Sequence, residues 1–322
     1  MNLKHTTYTL NLINPFGISR STRTTNPVVL VNIDGGYGES APIRFYGEDV
    51  ETVSAALNRI AEADLPSDLD YIEDITDALD RLFPFDPVTR TGNQAAKTAV
   101  DLALHDRLGK KLGVPLHKLF GKAPDPNHSY MTSYTIGLDT VEEMLRKVEE
   151  AKNFAILKIK LGRDVEHDIT VMREIRKAVG SSKVLRVDAN AGWSLADARR
   201  AIPVLAELGV EYVEQPLAKA NLTELRELKK ESPIPIYVDE DSIIAADLPR
   251  LEGVVDGINI KLMKSGGLVE ARRMIALART FGFRIMVGCM IETSVGITAA
   301  AHLAPYADNL DLDGNILISN DP

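Results

Sequence analysis

Two hydrophobic rhythms divide the chain. In the first third, residues 6–13 (TTYTLNLI) and 26–35 (NPVVLVNIDG) alternate apolar and polar side chains as half-buried strands do, with a polar loop from Asn14 to Asn26 between them. Residues 48–63 and 93–113 then carry apolar side chains three and four apart, the spacing of one helix face, and Gly113 stands where a C-terminal cap belongs. Strands followed by helices predict a small α+β domain. From about residue 129 the rhythm changes to short β-rich runs separated by amphipathic stretches such as SLADARRAIPVLAELG (194–209). The runs are SYTIG (133–137), ILKIKLG (156–162), KVLRVDAN (183–190), EYVEQP (211–216), PIYVDE (235–240), GINIKL (257–262), RIMVGCM (284–290) and NLDLDG (309–314). They recur roughly every 22 to 30 residues, long enough for helical crossovers between parallel strands. Eight such units close into a (β/α)8 barrel. An open doubly wound sheet is disfavoured, because no glycine-rich phosphate fingerprint follows the first run and polar residues cluster at the C-terminal ends of nearly all the runs. The expected organisation is an α/β protein with an α+β domain over residues 1–125 and the barrel over 126–322.

Composition narrows the partners. Of 322 residues, 45% are apolar and 26% charged, which is the make-up of a globular chain with a large core. A net charge of -9, with Lys and Arg scattered among Asp and Glu, excludes a nucleic-acid footprint. The single cysteine, Cys289, rules out an internal disulfide framework and fits the cytoplasm. No histidine lies near it in sequence, so it reads as a small buried apolar residue. The start, MNLKHTTYTLNLINPF, reads as an edge strand and not a signal peptide, and no apolar stretch is long enough to span a bilayer.

The chemistry gathers at the ends of the runs, where a barrel builds its active site. Runs three, four and five end in Asp188, Glu214 and Asp239, one carboxylate per consecutive strand, and these are expected to converge at the mouth. Hard oxygen ligands without His or Cys favour Mg²⁺, with Mn²⁺ as substitute. Run two presents Lys158 and Lys160 on one side of its strand, and run six presents Lys261. Strands two and six are four apart in a ring of eight, so Lys160 and Lys261 should face each other across the mouth. Mere neutralisation of the carboxylates is the alternative role for Lys158. A divalent cation beside two opposed lysines suits removal of the weakly acidic proton next to a carboxylate, through an enediolate, and its return to the other face. The base must be neutral, which requires a lysine whose pKa is lowered by Lys158 and the cation.

In order and spacing these residues resemble the muconate-lactonising subgroup of the enolase superfamily. The resemblance rests on LKIKLG with Lys158 and Lys160, VDAN with Asp188, VEQP with Glu214, VDED with Asp239, and NIKLMKSGG with Lys261 and Lys264. A lysine base with Mg²⁺ is that superfamily's known solution. The resemblance implies that the N-terminal third is a capping domain, with loops near Phe16–Thr25 and Arg44–Glu48 closing over the mouth. It also implies one Mg²⁺ per subunit, a homo-oligomer, and no membrane partner. The subgroup contains cycloisomerases, o-succinylbenzoate synthases, N-acyl amino acid racemases and dipeptide epimerases. The DLD of run eight, with Asp311 and Asp313, is similar to the dipeptide epimerase signature: two carboxylates on one face, placed to hold a dipeptide's ammonium group. A surface turn beside Gly314 is the other reading of that pair. The implied activity is inversion of the α-carbon of a dipeptide's C-terminal residue, with the other subgroup reactions or a non-catalytic carboxylate-binding barrel as alternatives. Lys158, Thr135, Met290 and Ser21 are implied beside the substrate, and Asn190, Lys264, Glu240 and Glu292 behind the site. Ser21 stands where Glu-selective relatives carry an arginine, with the flanking Arg20 and Arg23 as its alternative substitutes, and the expected substrate is L-Ala-X or another pair with small or apolar side chains. Relatives continue past strand eight with a segment returning to the cap, and such a segment is expected to be lacking before Pro322.

Overall fold

The computed structural model describes residues 1–63, 65–86 and 92–322. A three-stranded antiparallel sheet opens the chain, with β1 (Leu3–Ile18), β2 (Ser21–Ile33) and β3 (Gly36–Ser40) in that order. β1 and β2 pair from Leu3 opposite Ile33 to Ile18 opposite Ser21, with an irregularity between Asn11 and Phe16. The expected loop from Asn14 to Asn26 is therefore mostly strand. The β-branched run STRTT keeps the ribbon extended, and the chain turns only at Ser19 and Arg20.

Helices α1 (Val50–Glu62), α2 (Ile72–Leu82) and α3 (Gln94–Leu112) cover this sheet over a core that includes Val29, Val31, Leu57, Leu79 and Ala99. α1 and α3 lie where the apolar spacing placed them, and Gly113 ends α3 at φ 67. α2 is an additional helix, although Ile72, Ile75, Leu79 and Leu82 carry the same spacing. A Cβ on Gly38 would stand 2.0 Å from the Ala99 carbonyl oxygen, so β3 meets α3 backbone to backbone.

All eight runs form strands: β4 (Tyr134–Ile136), β5 (Ile156–Lys160), β6 (Val184–Asp188), β7 (Val210–Glu214), β8 (Ile236–Val238), β9 (Gly257–Lys261), β10 (Arg284–Gly288) and β11 (Asn309–Asp311). Neighbours in the sheet are consecutive in sequence and parallel. The ring closes where Thr132 bridges Leu310 and Ser133 N donates to Leu310 O at 3.2 Å. Crossover helices follow β4, β5, β6, β7, β9 and β10, whereas β8 is followed by the one-turn helix Leu248–Leu251. Asp164 and Ser194 accept backbone N–H groups at the starts of helices Val165–Val179 and Leu195–Glu207, each cap contributing ~1 kcal/mol.

Beyond β11 the chain turns back to the cap. Ile13 N donates to Leu317 O at 3.0 Å, Ser319 N donates to Asn11 O at 2.9 Å, and Asn320 bonds β1 through its side chain. The returning segment expected to be lacking is thus supplied by residues 317–320. Among the described residues no helix is long and apolar enough to cross a membrane.

Candidate active site

Alternation along β5 sends Leu157 and Ile159 into the core against the helices and Lys158 and Lys160 into the barrel, where both are buried. Parallel register carries Lys160 to Asp188 and Asp188 to Glu214 across β5, β6 and β7, and Asp239 follows β8 directly. Lys261 ends β9, four strands from Lys160. The expected strand-end placement of these six side chains is what the structure contains.

The three carboxylates stand as neighbours at the mouth, with Asp188 and Asp239 both acting on Glu214. Among the described residues no three His, Cys, Asp or Glu side chains stand together as a metal cage. Each is drawn instead to a lysine, because a buried ion costs several kcal/mol unless it is paired. Asp188 Oδ2 lies 2.6 Å from Lys160 Nζ, and Asp239 Oδ2 lies 2.9 Å from Lys261 Nζ while its other oxygen accepts from Lys264. Lys158 Nζ lies 2.6 Å from Glu214 Oε2, 2.7 Å from Asp311 Oδ2 and 3.4 Å from Asp188 Oδ2. Burial opposes the charge on Lys158, but Asp311, Glu214 and Asp188 together hold its pKa well above the ordinary lysine value. Lys158 is fully buried and does not line the cavity, and its contacts are with these carboxylates.

Burial disfavours the Asp239 anion, yet Lys261 and Lys264 hold its pKa below the usual carboxylate range. Lys261 is in turn held up by Asp239 against the effect of burial, the reverse of the lowered base that the sequence suggests. Burial pushes Glu214 up, and repulsion from Asp188 and Asp239 adds to that. Although Glu214 Oε2 is close to Lys158, no hydrogen bond is aligned on it. Three buried, mutually repelling carboxylates with an oxygen left without a donor are hard-ligand chemistry, and they fit a divalent cation.

Supporting side chains that the sequence reading did not name hold these carboxylates. Asn259 Nδ2 donates to Glu214 Oε1 at 2.7 Å, and Gln215 Oε1 accepts from Asp239 N at 3.0 Å. Asn259 was legible, since it precedes Lys261 by two residues and shares its inward face. Asn190 N donates to Asp188 Oδ1 at 2.8 Å.

Across the ring, Asp311 and Asp313 divide their work. Asp311 accepts from Ser133 Oγ at 2.5 Å and from Lys158; burial opposes its charge, but Lys158 brings its pKa down to about 2. Asp313 Oδ2 accepts from Thr135 N at 2.6 Å, and Cys289 Sγ lies 3.7 Å from its other oxygen. Burial and the neighbouring Asp311 push Asp313 up to about 6. Burial also raises the Cys289 thiol well above its ordinary value, as suits an inert side chain.

A cavity of about 730 Å³, counting its mouth, joins these groups. Lys160, Asp239, Lys261, Asp311, Asp313, Thr135, Asn190, Glu240 and Met290 line it from the barrel. The cap contributes Phe16, Ile18, Arg20, Arg23, Ile43, Phe45 and Tyr46. Lys264 and Glu292 lie behind the wall, and Glu292 accepts from Met290 N at 2.7 Å while burial and Glu39 push its pKa well up. Ser21 does not stand beside the substrate cavity as expected: it is exposed and lines an outer groove of the cap. Strand alternation gives Arg23 the same face of β2 one step further from the turn, and its longer side chain reaches the cavity.

Comparison with known proteins agrees with this geometry. Residues 139–319 match the enolase C-terminal domain-like family, and residues 3–121 match the mandelate racemase / muconate lactonizing enzyme N-terminal domain. The L-Ala-D/L-Glu epimerase of Bacteroides thetaiotaomicron is 41% identical over 322 residues, covering 98% of this chain and 80% of that protein. A hydrophobic dipeptide epimerase of Roseobacter litoralis is 42% identical over 232 residues, or 70% of this chain and 67% of its own. The structure of the dipeptide epimerase from Enterococcus faecalis V583 complexed with Mg and the dipeptide L-Leu-L-Tyr superimposes with a TM-score of 0.89 at 34% identity, covering 100% of this chain and 92% of that one. With both of its domains matched, the chain belongs to the mandelate racemase and muconate lactonizing enzyme family of the enolase superfamily.

Proposed function

We propose that this protein is a Mg²⁺-dependent dipeptide epimerase that inverts the α-carbon of the C-terminal residue. The observation that carries the reading is the placement of Lys160 and Lys261 four strands apart on one cavity whose remaining side is formed by Asp311 and Asp313. Asp188, Glu214 and Asp239 would hold the cation. When bound, it supplies the positive charge against which the substrate carboxylate can carry additional negative charge, and it competes with the lysines for their carboxylate partners.

One lysine enters as the amine and takes the α-proton, and the other enters as the ammonium and returns a proton to the opposite face. The reverse reaction exchanges their roles, so no proton is gained or lost over the cycle. Asp313 is the carboxylate available to the dipeptide's ammonium group, because Asp311 is already committed to Lys158 and Ser133. An ammonium placed there relieves the strain on a buried anion. Phe16, Ile18, Ile43 and Tyr46 give the cavity an apolar roof that excludes water from the reacting carbon.

Arg23 points to the side chain of the preferred substrate. Arg23 lines the cavity, its guanidinium donates to Asn26 Oδ1 at 2.7 Å, and it has no carboxylate partner among the described residues. Burial lowers its pKa, so an anion beside it is favourable. With Ser21 outside the cavity and Arg23 inside, an acidic residue such as Glu at the inverted position is the best fit, as in the L-Ala-D/L-Glu epimerase of B. thetaiotaomicron.

Incubation with Mg²⁺ and L-Ala-L-Glu in D₂O tests the reading. Deuterium should enter the glutamyl α-carbon as L-Ala-D-Glu forms. A panel of acidic, apolar and basic dipeptides with no α-exchange at all would overturn it.

A further inference from the structure

The cap reaches the cavity through two separate pieces, the turn between β1 and β2 and the segment 43–46, and a single side chain joins both to the barrel. Arg20 lies in that turn. Its Nη1 donates to Asn190 O at 2.6 Å and its Nη2 to Glu240 Oε1 at 2.9 Å. Ser19 Oγ donates to the same Asn190 carbonyl at 2.9 Å. The guanidinium carbon lies 4.4 Å from the centroid of the Phe45 ring, and Phe45 belongs to the single turn Arg44–Tyr46 of the second piece. Lys219 of the barrel lies 5.9 Å from the same ring.

The barrel side of this junction is shaped to receive it. Asn190 and Ala191 both adopt left-handed backbone (φ 45 and 60), a conformation unfavourable for side-chain-bearing residues. That turn presents the Asn190 carbonyl to two donors of the cap. The Glu240 side chain is only 2% exposed, and its second oxygen has no hydrogen-bond donor, so Arg20 is the cation that satisfies it. Both terminal nitrogens of Arg20 are thus engaged by the barrel, and its flat face is covered by Phe45.

We infer that Arg20 is a clasp holding both cap pieces shut on the barrel mouth, a positioning residue and not a ligand for the substrate side chain. A guanidinium suits this task because two donors in one plane reach two acceptors while the faces stay free for an aromatic ring. A lysine carries the charge but cannot do all three at once.

Amide hydrogen exchange on the full chain with Mg²⁺ reads the clasp without relying on any substrate. Arg20→Ala should speed exchange in residues 16–24 and 43–48 together, by about tenfold or more, the worth of a hydrogen bond to a charged group, with β5 and β9 unchanged. Phe45→Ala should loosen the same two segments. The kinetic arm rests on the proposed epimerase activity: Arg20→Ala should lower kcat/KM by the same factor for acidic and apolar dipeptides, and Arg20→Lys should restore part of it. Arg23→Ala should instead penalise acidic dipeptides selectively. Loosening of the β1–β2 turn alone, or a loss confined to acidic dipeptides in Arg20→Ala, would overturn the clasp. If the parent protein epimerises nothing, the function reading fails, and the exchange arm still decides the role of Arg20.

Discussion

Asp313 is a site residue whose charge is disfavoured in the folded chain, and Asp313→Asn should therefore stabilise the protein while disabling it. Burial and the Asp311 anion push its carboxyl from 3.8 to about 6. At 1.36 kcal/mol per pH unit, ionising it inside the fold costs ~3 kcal/mol at neutral pH. A raised carboxyl pKa means that the folded chain holds the proton more tightly than the unfolded chain does. Its stabilising contribution is thus complete at low pH and is lost as pH rises toward about 6. Asparagine removes the ionisation and keeps an oxygen for the Thr135 N–H. The variant should gain up to ~3 kcal/mol at about pH 7.5, near 4 °C in Tm for a chain of this size, and only about a third of that near pH 4.5. Activity should move the other way. A dipeptide ammonium facing a neutral amide loses a buried charge pair of about 2–5 kcal/mol, so kcat/KM should fall by about a hundredfold. In the parent, KM should rise as pH falls below about 6, because protonated Asp313 no longer attracts the ammonium. Thermal unfolding at the two pH values, with an epimerisation assay by polarimetry, measures both arms. A destabilised Asp313→Asn at pH 7.5, or a gain equally large at pH 4.5, would refute the reasoning.

Two other perturbations probe different parts of the molecule. Lys160→Ala and Lys261→Ala should each abolish α-proton exchange with one stereoisomer of the C-terminal residue, by about a thousandfold, and spare the other. Failure of both variants on the same stereoisomer, followed by NMR in D₂O, would contradict opposed bases. Gly267 sits at φ +96, and a Cβ there would stand 2.1 Å from Asp101 Oδ2, the α3 oxygen that accepts the Leu268 N–H at the start of helix Leu268–Thr280. Gly267→Ala should therefore cost ~2 kcal/mol or more in urea denaturation, and a loss below ~0.5 kcal/mol would show that the cap and barrel are not joined through this contact.

The barrel was legible because its physics is periodic. Alternation along β5 and β9 and a fixed strand count are enough to set Lys160 opposite Lys261, and no tertiary information is needed for that step. Asp188, Glu214 and Asp239 are legible for the same reason, as consecutive strand ends. What the carboxylates bind to was not legible, since it depends on how four buried ammonium groups compete for them. In the cap, periodic reasoning finds α1 and α3 but fails at the ribbon. The polarity of residues 14–26 signals a loop, yet they pair as a ribbon whose irregularity between Asn11 and Phe16 resets the register. Arg23 lines the cavity and Ser21, on the same face of β2 but nearer the turn and shorter, does not. Arg20 was similarly opaque. Its partners, Asn190, Glu240 and Phe45, come from three distant parts of the chain, and only the Asn190 backbone accepts from it at the first of them.

The charges buried at the mouth carry one further argument about the lysines. Lys158, Lys160, Lys261 and Lys264 face five carboxylates, Asp188, Glu214, Asp239, Asp311 and Asp313, while Arg20 and Glu240 cancel each other. With all four lysines protonated and a divalent cation added, the cluster carries one positive charge in excess. With one lysine as the amine it is neutral, and a buried cluster is cheapest when its charges cancel. A dipeptide's ammonium and carboxylate do not alter that balance, and an acidic side chain is matched by Arg23. The state favoured by charge balance is therefore the one the chemistry requires, one lysine ready to accept a proton and its opposite ready to donate. Lys158 and Lys264 do not line the cavity and cannot reach the reacting carbon. Lys158 is enclosed by three carboxylates, and Lys264 is tied to Asp239 and to the Asn259 carbonyl behind the wall, so only Lys160 and Lys261, the two that line the cavity, are placed to exchange a proton with a bound substrate.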